Sequence, residues 1–105
     1  MLNVLLVCSG GMSSSIVVKS IQKELEKQGV ESNVKAVGTG EFEDEVNGED
    51  WDIALVAPQV RHRMATFEVA AKEANVPIAL IQPQGYTPMG GPRVVKQIKE
   101  IVKLK

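Results

Sequence analysis

Four short apolar runs recur along the chain, at positions 3–7, 33–37, 53–56 and 78–81. They are rich in Val, Ile, Leu and Ala and show little alternation with polar residues. Such runs are typical of strands that are buried on both faces of a parallel sheet. The pattern therefore predicts four parallel strands that are covered by helices on both sides.

Apolar residues at helical spacing fill the segments between and after these strands. Gly29 follows the first stripe and Pro77 the second, and both residues are typical of helix ends. The segment between the second and third strands has room for one short helix, with Phe42 and Val46 on its inner face. Right-handed crossovers then predict an open, twisted parallel sheet. We expect an α/β fold with four strands in the order 2-1-3-4. The three stripes consist of Ile16, Val17, Val18, Ile21 and Leu25, then Met64, Phe67, Ala71 and Ala74, then Val94, Val95, Ile98, Ile101 and Val102.

Length, charge and cysteine count narrow the class of protein. We expect residues 1–105 to form one domain, since domains of about 100–150 residues are common. A net charge of −1 without a basic stripe argues against a nucleic-acid partner, and no apolar run is long enough for membrane insertion. A single cysteine suits a reducing cytoplasm, and no cofactor or metal is predicted. The acidic segment 41–52 is most simply a solvated crossover, because it lacks the spacing of a calcium loop.

The segment 8–15 follows the first strand and opens the first helix, where open α/β sheets bind ligands. Gly10 and Gly11 allow several backbone N–H groups to face one point, and the serines add hydroxyl donors. A helix N-terminus favours an anion, and the same field favours thiolate over thiol at Cys8. The segment therefore predicts a phosphate-binding loop around a nucleophilic cysteine. The predicted site consists of Cys8 as the catalytic residue, with Ser9, Gly10, Gly11, Met12, Ser13 and Ser14 around the phosphate.

Each of these features also has an ordinary structural explanation. A lone cysteine at a strand end is often a small buried apolar residue, and only its combination with the glycines and serines favours a function. Gln59 and Tyr86 follow predicted strands, so either could contact a partner or an acceptor. His62 is the only histidine and is interpreted as a solvated residue at the start of the second helix. Arg61 or Arg63 could meet an acidic or phosphorylated partner, although an ordinary surface arginine is the more common case.

The sequence resembles the lactose/cellobiose (diacetylchitobiose) class of enzyme IIB in the bacterial phosphoenolpyruvate-dependent sugar phosphotransferase system. The strongest match is the cysteine loop at 8–15, which looks like the phosphocysteine loop of that class. A second match is the Pro-Gln stretch at 55–61, and a weaker one is the tyrosine-led turn at 86–91. Length and element order agree as well, so the resemblance covers the whole chain.

The resemblance implies a protein-phosphohistidine–sugar phosphotransferase that works through a cysteine. Enzyme IIA, phosphorylated on a histidine, would donate the phosphoryl group to Cys8. The phosphocysteine would pass it to a sugar that the membrane-embedded enzyme IIC delivers, and the implied sugar is a β-glucoside such as cellobiose or chitobiose. The protein would then be cytoplasmic and peripheral to the membrane through enzyme IIC.

A similar loop and fold occur in the low-molecular-weight protein tyrosine phosphatases, which leaves alternatives open. Those enzymes close the loop with an arginine, whereas the matching position here is Ser14, and the predicted last loop, 82–86, contains no carboxylate. Both absences favour transfer over hydrolysis. The alternatives are a phosphatase or arsenate reductase on the same scaffold, and a non-catalytic regulatory module that binds an anion.

Overall fold

The computed structural model describes residues 2–8, 13–48, 50–83, 86 and 90–102. Strands and helices alternate through these residues, as the apolar pattern predicts. The strands are β1 Leu2–Cys8, β2 Ser32–Gly38, β3 Ile53–Val56 and β4 Ile78–Leu80. The helices are α1 Ser13–Lys27, α2 Phe42–Gly48, α3 Met64–Glu73 and α4 Gly91–Ile101, with a 3₁₀ helix at Pro58–Arg63 before α3.

All four strands run parallel in one sheet with the order β2-β1-β3-β4, which confirms the predicted order 2-1-3-4. β1 is central: Cys8 pairs with Gly38 of β2 on one side, and Val7 pairs with Val56 of β3 on the other. The chain leaves β1 towards β2 but leaves β3 towards β4 on the opposite side. The carboxyl ends of β1 and β3 therefore meet at the point where the winding direction switches, where ligands bind in such sheets.

Alternate residues of the central strands enter two separate apolar clusters, one on each face of the sheet. Leu5 and Val7 pack on the side of α2 and α3, whereas Val4 and Leu6 pack on the side of α1 and α4. This division follows from the period of two along a strand, with both faces covered. The buried contributors from the helices are Phe42, Val46, Phe67, Ala70 and Ala71 on the first side, and Val17, Ile21, Leu25, Val94, Val95 and Ile98 on the second.

Two members of the predicted apolar stripes lie outside the core. Ile16 at the start of α1 is 50% exposed and Ile101 at the end of α4 is 40% exposed, so these two residues of the apolar stripes do not pack into the core. Helical residues advance by about 100° each, so Ile16 lies well off the line of Val17, Ile21 and Leu25. Arg61 and His62, expected at the start of a helix of the α type, lie in the 3₁₀ helix instead.

The acidic crossover is an outward-facing surface over buried apolar residues. Phe42 and Val46 of α2 are fully buried, and the ring of Phe42 meets Phe67 of α3 edge to face at 5.0 Å. Trp51 is also buried and donates its indole N–H to the Glu45 carbonyl at 2.9 Å. The Glu45 carboxylate forms a salt bridge with Lys35 of β2 at 2.8 Å. The described part of the segment thus fastens the crossover to the sheet.

The start of α4 approaches α1 very closely. The Gly91 N–H donates to Ser20 Oγ at 2.9 Å, and a Cβ on Gly91 would lie 2.6 Å from that oxygen and 2.9 Å from the Ser20 carbonyl carbon. Only glycine allows this approach. The contact fixes the helix that follows β4 against the helix that follows β1.

Candidate functional site at the carboxyl edge of the sheet

Cys8 is the last residue of β1 and lies at the winding switch. It is 3% exposed, and its Sγ lies 3.6 Å from the Val37 carbonyl oxygen, which accepts a hydrogen bond from the thiol. It belongs to the cluster that also contains Ala57 and Val60, which follow β3. The thiol is thus held by two neighbouring strands at the edge where a ligand would bind.

The segment that joins Cys8 to α1 contains most of the predicted phosphate loop. Ser13 and Ser14 begin α1, which agrees with a strand-to-helix connection at this point. Because α1 has fifteen residues, its N-terminus presents free backbone N–H groups and the positive end of the helix dipole. Four predicted phosphate-binding residues lie outside the described residues, namely Ser9, Gly10, Gly11 and Met12, as do the side chains of Ser13 and Ser14.

The end of β3 leads directly into a second part of the site. The Ala57 N–H donates to the Val7 carbonyl at 2.9 Å, which extends the pairing of β1 and β3 by one step. Pro58 then begins the 3₁₀ helix, where proline at the first position suits a fixed φ and a missing donor. Gln59, the predicted contact residue, follows on the exposed surface of this helix. The pairing therefore brings Gln59 to the same edge of the sheet as Cys8.

Tyr86 reaches this edge from the other side, after β4. It is partly buried and packs against both apolar clusters, and its N–H donates to the Pro83 carbonyl at 3.2 Å. A cavity of about 390 Å³ separates this turn from the 3₁₀ helix. The residues that line it are Pro58, Gln59, Arg61, Pro83 and Tyr86.

The cavity unites both predicted contact residues and adds Arg61, which lies outside the predicted site. The sequence favours an ordinary surface arginine there over a partner contact, because a helix-surface arginine has no distinctive spacing. Its place beside Gln59 and Tyr86 depends on how the 3₁₀ helix packs against the turn after β4. His62 and Arg63 are exposed neighbours in the 3₁₀ helix but do not line the cavity.

Other functional features are few in the described part of the chain. Residues 2–8, 13–48, 50–83, 86 and 90–102 contain no cluster of three or more potential metal-ligating side chains. Over the same ranges, no helix is long and apolar enough to cross a membrane. A further cavity of about 420 Å³ lies along α4 and the edge strand, where Gln97 donates to the Leu80 carbonyl at 2.7 Å.

Comparison with known families decides between the alternatives left open by the motifs. The model of the lactose/cellobiose-specific IIB subunit of the sugar phosphotransferase system (PTS) matches residues 3–97. The chain belongs to this IIB family. It is therefore a phosphoryl-transfer component of a sugar phosphotransferase system, and the sequence resemblance is confirmed. IIB components work with IIA and IIC components of the same system.

Several curated IIB proteins are similar over almost the whole chain. The galactose-specific component of Lactococcus lactis subsp. cremoris and the cellobiose-specific component of Lactococcus lactis subsp. lactis are each 28% identical, covering 92% of this chain and 93% of the relative. The oligo-β-mannoside-specific component of Bacillus subtilis is 26% identical, with 92% of each chain covered. These relatives are specific for three different sugars but have nearly the same identity to this chain. Overall sequence similarity therefore does not distinguish which sugar this chain serves.

Solved IIB structures have the same fold. The lactose-specific IIB domain from Streptococcus pneumoniae superposes with a TM-score of 0.76 at 22% identity, covering 91% of this chain and 95% of that one. The cellobiose-specific IIB protein from Borrelia burgdorferi superposes with a TM-score of 0.74 at 29% identity, covering 97% and 92%. The IIB fold thus accounts for the parallel sheet, whose carboxyl edge carries both Cys8 and the cavity lined by Gln59, Arg61 and Tyr86.

Proposed function

We propose that Cys8 carries the phosphoryl group as a thiophosphate between a phosphohistidine of enzyme IIA and a sugar. The observation that supports this most strongly is the position of Cys8 at the end of the central strand, directly before α1. It is the only cysteine of a chain that belongs to a phosphoryl-transfer family. A nucleophile at the winding switch, close to a helix N-terminus, suits a phosphoryl carrier.

The proposed transfer has two balanced steps. In the first step, the Cys8 thiolate attacks the phosphorus, an S–P bond forms, and the N–P bond breaks while the histidine keeps the electron pair and takes up a proton. In the second, a sugar hydroxyl oxygen attacks the phosphorus, an O–P bond forms and the S–P bond breaks. The hydroxyl proton passes to solvent, which also supplies the proton that the histidine takes up in the first step, and the thiolate is restored.

The surrounding residues take supporting roles in this proposal. Ser9, Gly10, Gly11, Met12, Ser13 and Ser14 surround the phosphoryl oxygens, with backbone N–H groups as the main donors. The Val37 carbonyl accepts a bond from the thiol in the unphosphorylated protein, so the charge of the thiolate must be stabilised from the side where α1 begins. Gln59 and Tyr86 contact the acceptor or a partner protein.

The setting of the reaction follows from the family. We propose that residues 1–105 act as one IIB domain in the cytoplasm, peripheral to the membrane through enzyme IIC. A β-glucoside such as cellobiose or chitobiose is the proposed sugar, because cellobiose-specific components occur among both the curated relatives and the similar structures. A free thiol suits the reducing conditions of the cytoplasm.

Mass spectrometry of a reconstituted relay tests the role of Cys8. Incubation with phosphoenolpyruvate, the general relay proteins and enzyme IIA should add the mass of one phosphoryl group to this protein. The group should have the lability of a thiophosphate, since the proposed bond joins phosphorus to Sγ. Cys8→Ser should gain no mass, because the serine hydroxyl is a far weaker nucleophile near neutral pH.

Two comparisons make this result decisive. Circular dichroism should show that Cys8→Ser retains the wild-type fold, since the substitution exchanges one small side chain for another. An equal mass gain in wild type and Cys8→Ser, or none in wild type, would overturn the proposal. Cys8-dependent turnover of para-nitrophenyl phosphate would instead favour a phosphatase.

A further inference from the structure

Glu41 lies at the carboxyl edge of the sheet, beside the pair of strands that ends at Cys8. Its N–H donates to the Gly38 carbonyl at 3.1 Å, so the turn after β2 folds back against the end of that strand. A Cβ placed on Gly38 would lie 3.7 Å from the Glu41 carboxylate oxygen Oε1. Gly38 is in turn the residue of β2 that pairs with Cys8. The width of one strand therefore separates the Glu41 carboxylate from Cys8.

The spacing of the strands limits the distance between the Glu41 carboxylate and the cysteine. Neighbouring strands lie about 4.8 Å apart, so the carboxylate lies within roughly 9 Å of the Cys8 side chain. The Debye length is about 10 Å at 0.1 M ionic strength and about 30 Å at 0.01 M. A negative charge on the sulfur of Cys8 would therefore be repelled by Glu41, most strongly at low ionic strength.

The charge of Glu41 is not neutralised within the described part of the chain. Its carboxylate forms no hydrogen bond or ion pair with the residues that the structure describes, and the side chain is exposed. Glu45, one turn further along α2, differs because its carboxylate forms the 2.8 Å salt bridge with Lys35. Glu41 thus brings a full negative charge to the edge of the sheet at which Cys8 would be phosphorylated.

We infer that Glu41 raises the phosphoryl-transfer potential of Cys8, because its carboxylate repels the phosphoryl oxygens. The inference rests on the proposed function, which adds a phosphoryl group of up to about two negative charges at this point. Backbone N–H groups at the start of α1 attract the same oxygens, so Glu41 offsets part of that attraction. A group that is held less tightly passes more readily to the next acceptor, which suits a carrier between two partners. Glu41 in this role sets the stability of the phosphocysteine and takes no part in bond formation.

The equilibrium between this protein and phosphorylated enzyme IIA tests the inference. Phosphorus NMR of the mixture distinguishes phosphohistidine from phosphocysteine and gives the equilibrium constant for transfer to Cys8. At about 10 mM salt, Glu41→Gln should raise this constant roughly threefold, since the repulsion from one carboxylate is removed. An equilibrium constant does not depend on how fast the proteins associate, so altered docking of enzyme IIA cannot produce the change.

Two further variants and a salt series make the test specific. Glu31→Gln is the matched control, because Glu31 is exposed and directly precedes β2, about 20 Å along the strand from Glu41. It removes the same charge and should change the constant by less than about 1.5-fold. Glu41→Asp keeps the charge and should keep the constant close to that of wild type. The effect of Glu41→Gln should disappear at about 1 M salt, where the Debye length is about 3 Å.

The outcomes separate this inference from the carrier role of Cys8. Circular dichroism should show the wild-type fold for all three variants, since Glu31 and Glu41 are exposed. The inference would be overturned if Glu41→Gln left the constant unchanged or lowered it, if either other variant raised it equally, or if the difference persisted at high salt. In each of these cases Cys8 still receives the phosphoryl group, so the carrier role stands. If no phosphoryl group appeared on Cys8 in wild type, the carrier role would fail and the inference with it.

Discussion

Single residues in this protein differ in how directly the sequence reveals their role. Cys8 can be identified as a candidate because its neighbours in the chain, two glycines and several serines, have a recognisable local pattern. Arg61 has no such pattern, since its relation to Tyr86 depends on a contact between segments that are distant in sequence. Gly91 is similar to Arg61, because its importance comes from Ser20, which lies seventy-one positions away.

Gly91→Ala should therefore destabilise the protein by about 2 kcal/mol, as is common for overpacking of a tight contact. The new Cβ would meet the Ser20 backbone at 2.9 Å from its carbonyl carbon, and the backbone of α1 has little freedom to move away. Urea denaturation gives the free energy of unfolding for this comparison. Gly48→Ala is the matched control, because a Cβ there meets nothing within 4 Å and should cost less than about 0.5 kcal/mol. Equal stability of the two variants would show that the helices can separate freely.

At the scale of elements, the strands were easier to predict than the ends of the helices. The prediction of 53–56 agrees with β3, and 3–7 differs from β1 by one residue at each end, because burial on both faces produces an unmistakable apolar run. The 3₁₀ helix was missed because Pro-Gln after a strand equally suits a simple turn.

The end of α3 is set by Asn75 at φ 59°, before Pro77, with the Val76 N–H donating to the Ala71 carbonyl. Asparagine tolerates this left-handed conformation but also occurs in many others, so its presence alone does not predict the end of the helix.

The end of α1 is also set by a residue in the left-handed conformation, which here is a glycine. Gly29 has φ 78°, its N–H bonds to the Glu26 carbonyl at 2.9 Å, and the Val30 N–H bonds to the Leu25 carbonyl at 2.8 Å. Together these bonds satisfy carbonyl groups that the helix end would otherwise leave without partners. Gly29 is thus required for its backbone conformation, since no atom outside its chain neighbours lies within 4 Å of an added Cβ.

Gly29→Ala should lower the free energy of unfolding by about 1 kcal/mol, which is the cost of a Cβ in the left-handed region. Thermal denaturation followed by circular dichroism measures the loss. Gly40→Ala is a suitable control, because Gly40 also has open space around it but is not among the glycines with positive φ. A larger loss in Gly40→Ala than in Gly29→Ala would contradict the assignment of Gly29 as the residue that ends α1.

At the scale of the whole molecule, one sheet connects two apolar clusters and the candidate site. β1 and β3 contribute residues to both clusters and also end at the winding switch beside Cys8. The sequence predicts the parallel sheet because its strands are continuous apolar runs, and the predicted order 2-1-3-4 agrees with the structure. It does not predict the cavity, whose shape depends on side chains from two loops. The site thus depends on a scaffold whose two halves share their central strands, and cooperative unfolding should follow.

Ile98→Ala tests whether the two faces of the sheet unfold together, because Ile98 and Trp51 lie in the apolar clusters on opposite faces. Ile98 is fully buried between α4 and the sheet, so truncation should cost roughly 3 kcal/mol through lost burial and the resulting cavity. Trp51, the only tryptophan, lies in the other cluster and reports on it by fluorescence. Because the clusters share β1 and β3, fluorescence and far-ultraviolet circular dichroism should show one coincident transition, shifted equally by Ile98→Ala.

Ile101→Ala on the same helix is the control for this experiment. Ile101 is 40% exposed, so its truncation should cost less than about 0.5 kcal/mol and leave both transitions nearly unchanged. If Ile98→Ala shifted the circular dichroism transition but left the fluorescence of Trp51 unaffected, the two faces would unfold independently. The substitution beneath α4 could then leave the packing around Cys8 intact, because Cys8 belongs to the same cluster as Trp51. Coincident transitions would instead mean that the stability of the site depends on burial on the opposite face of the sheet.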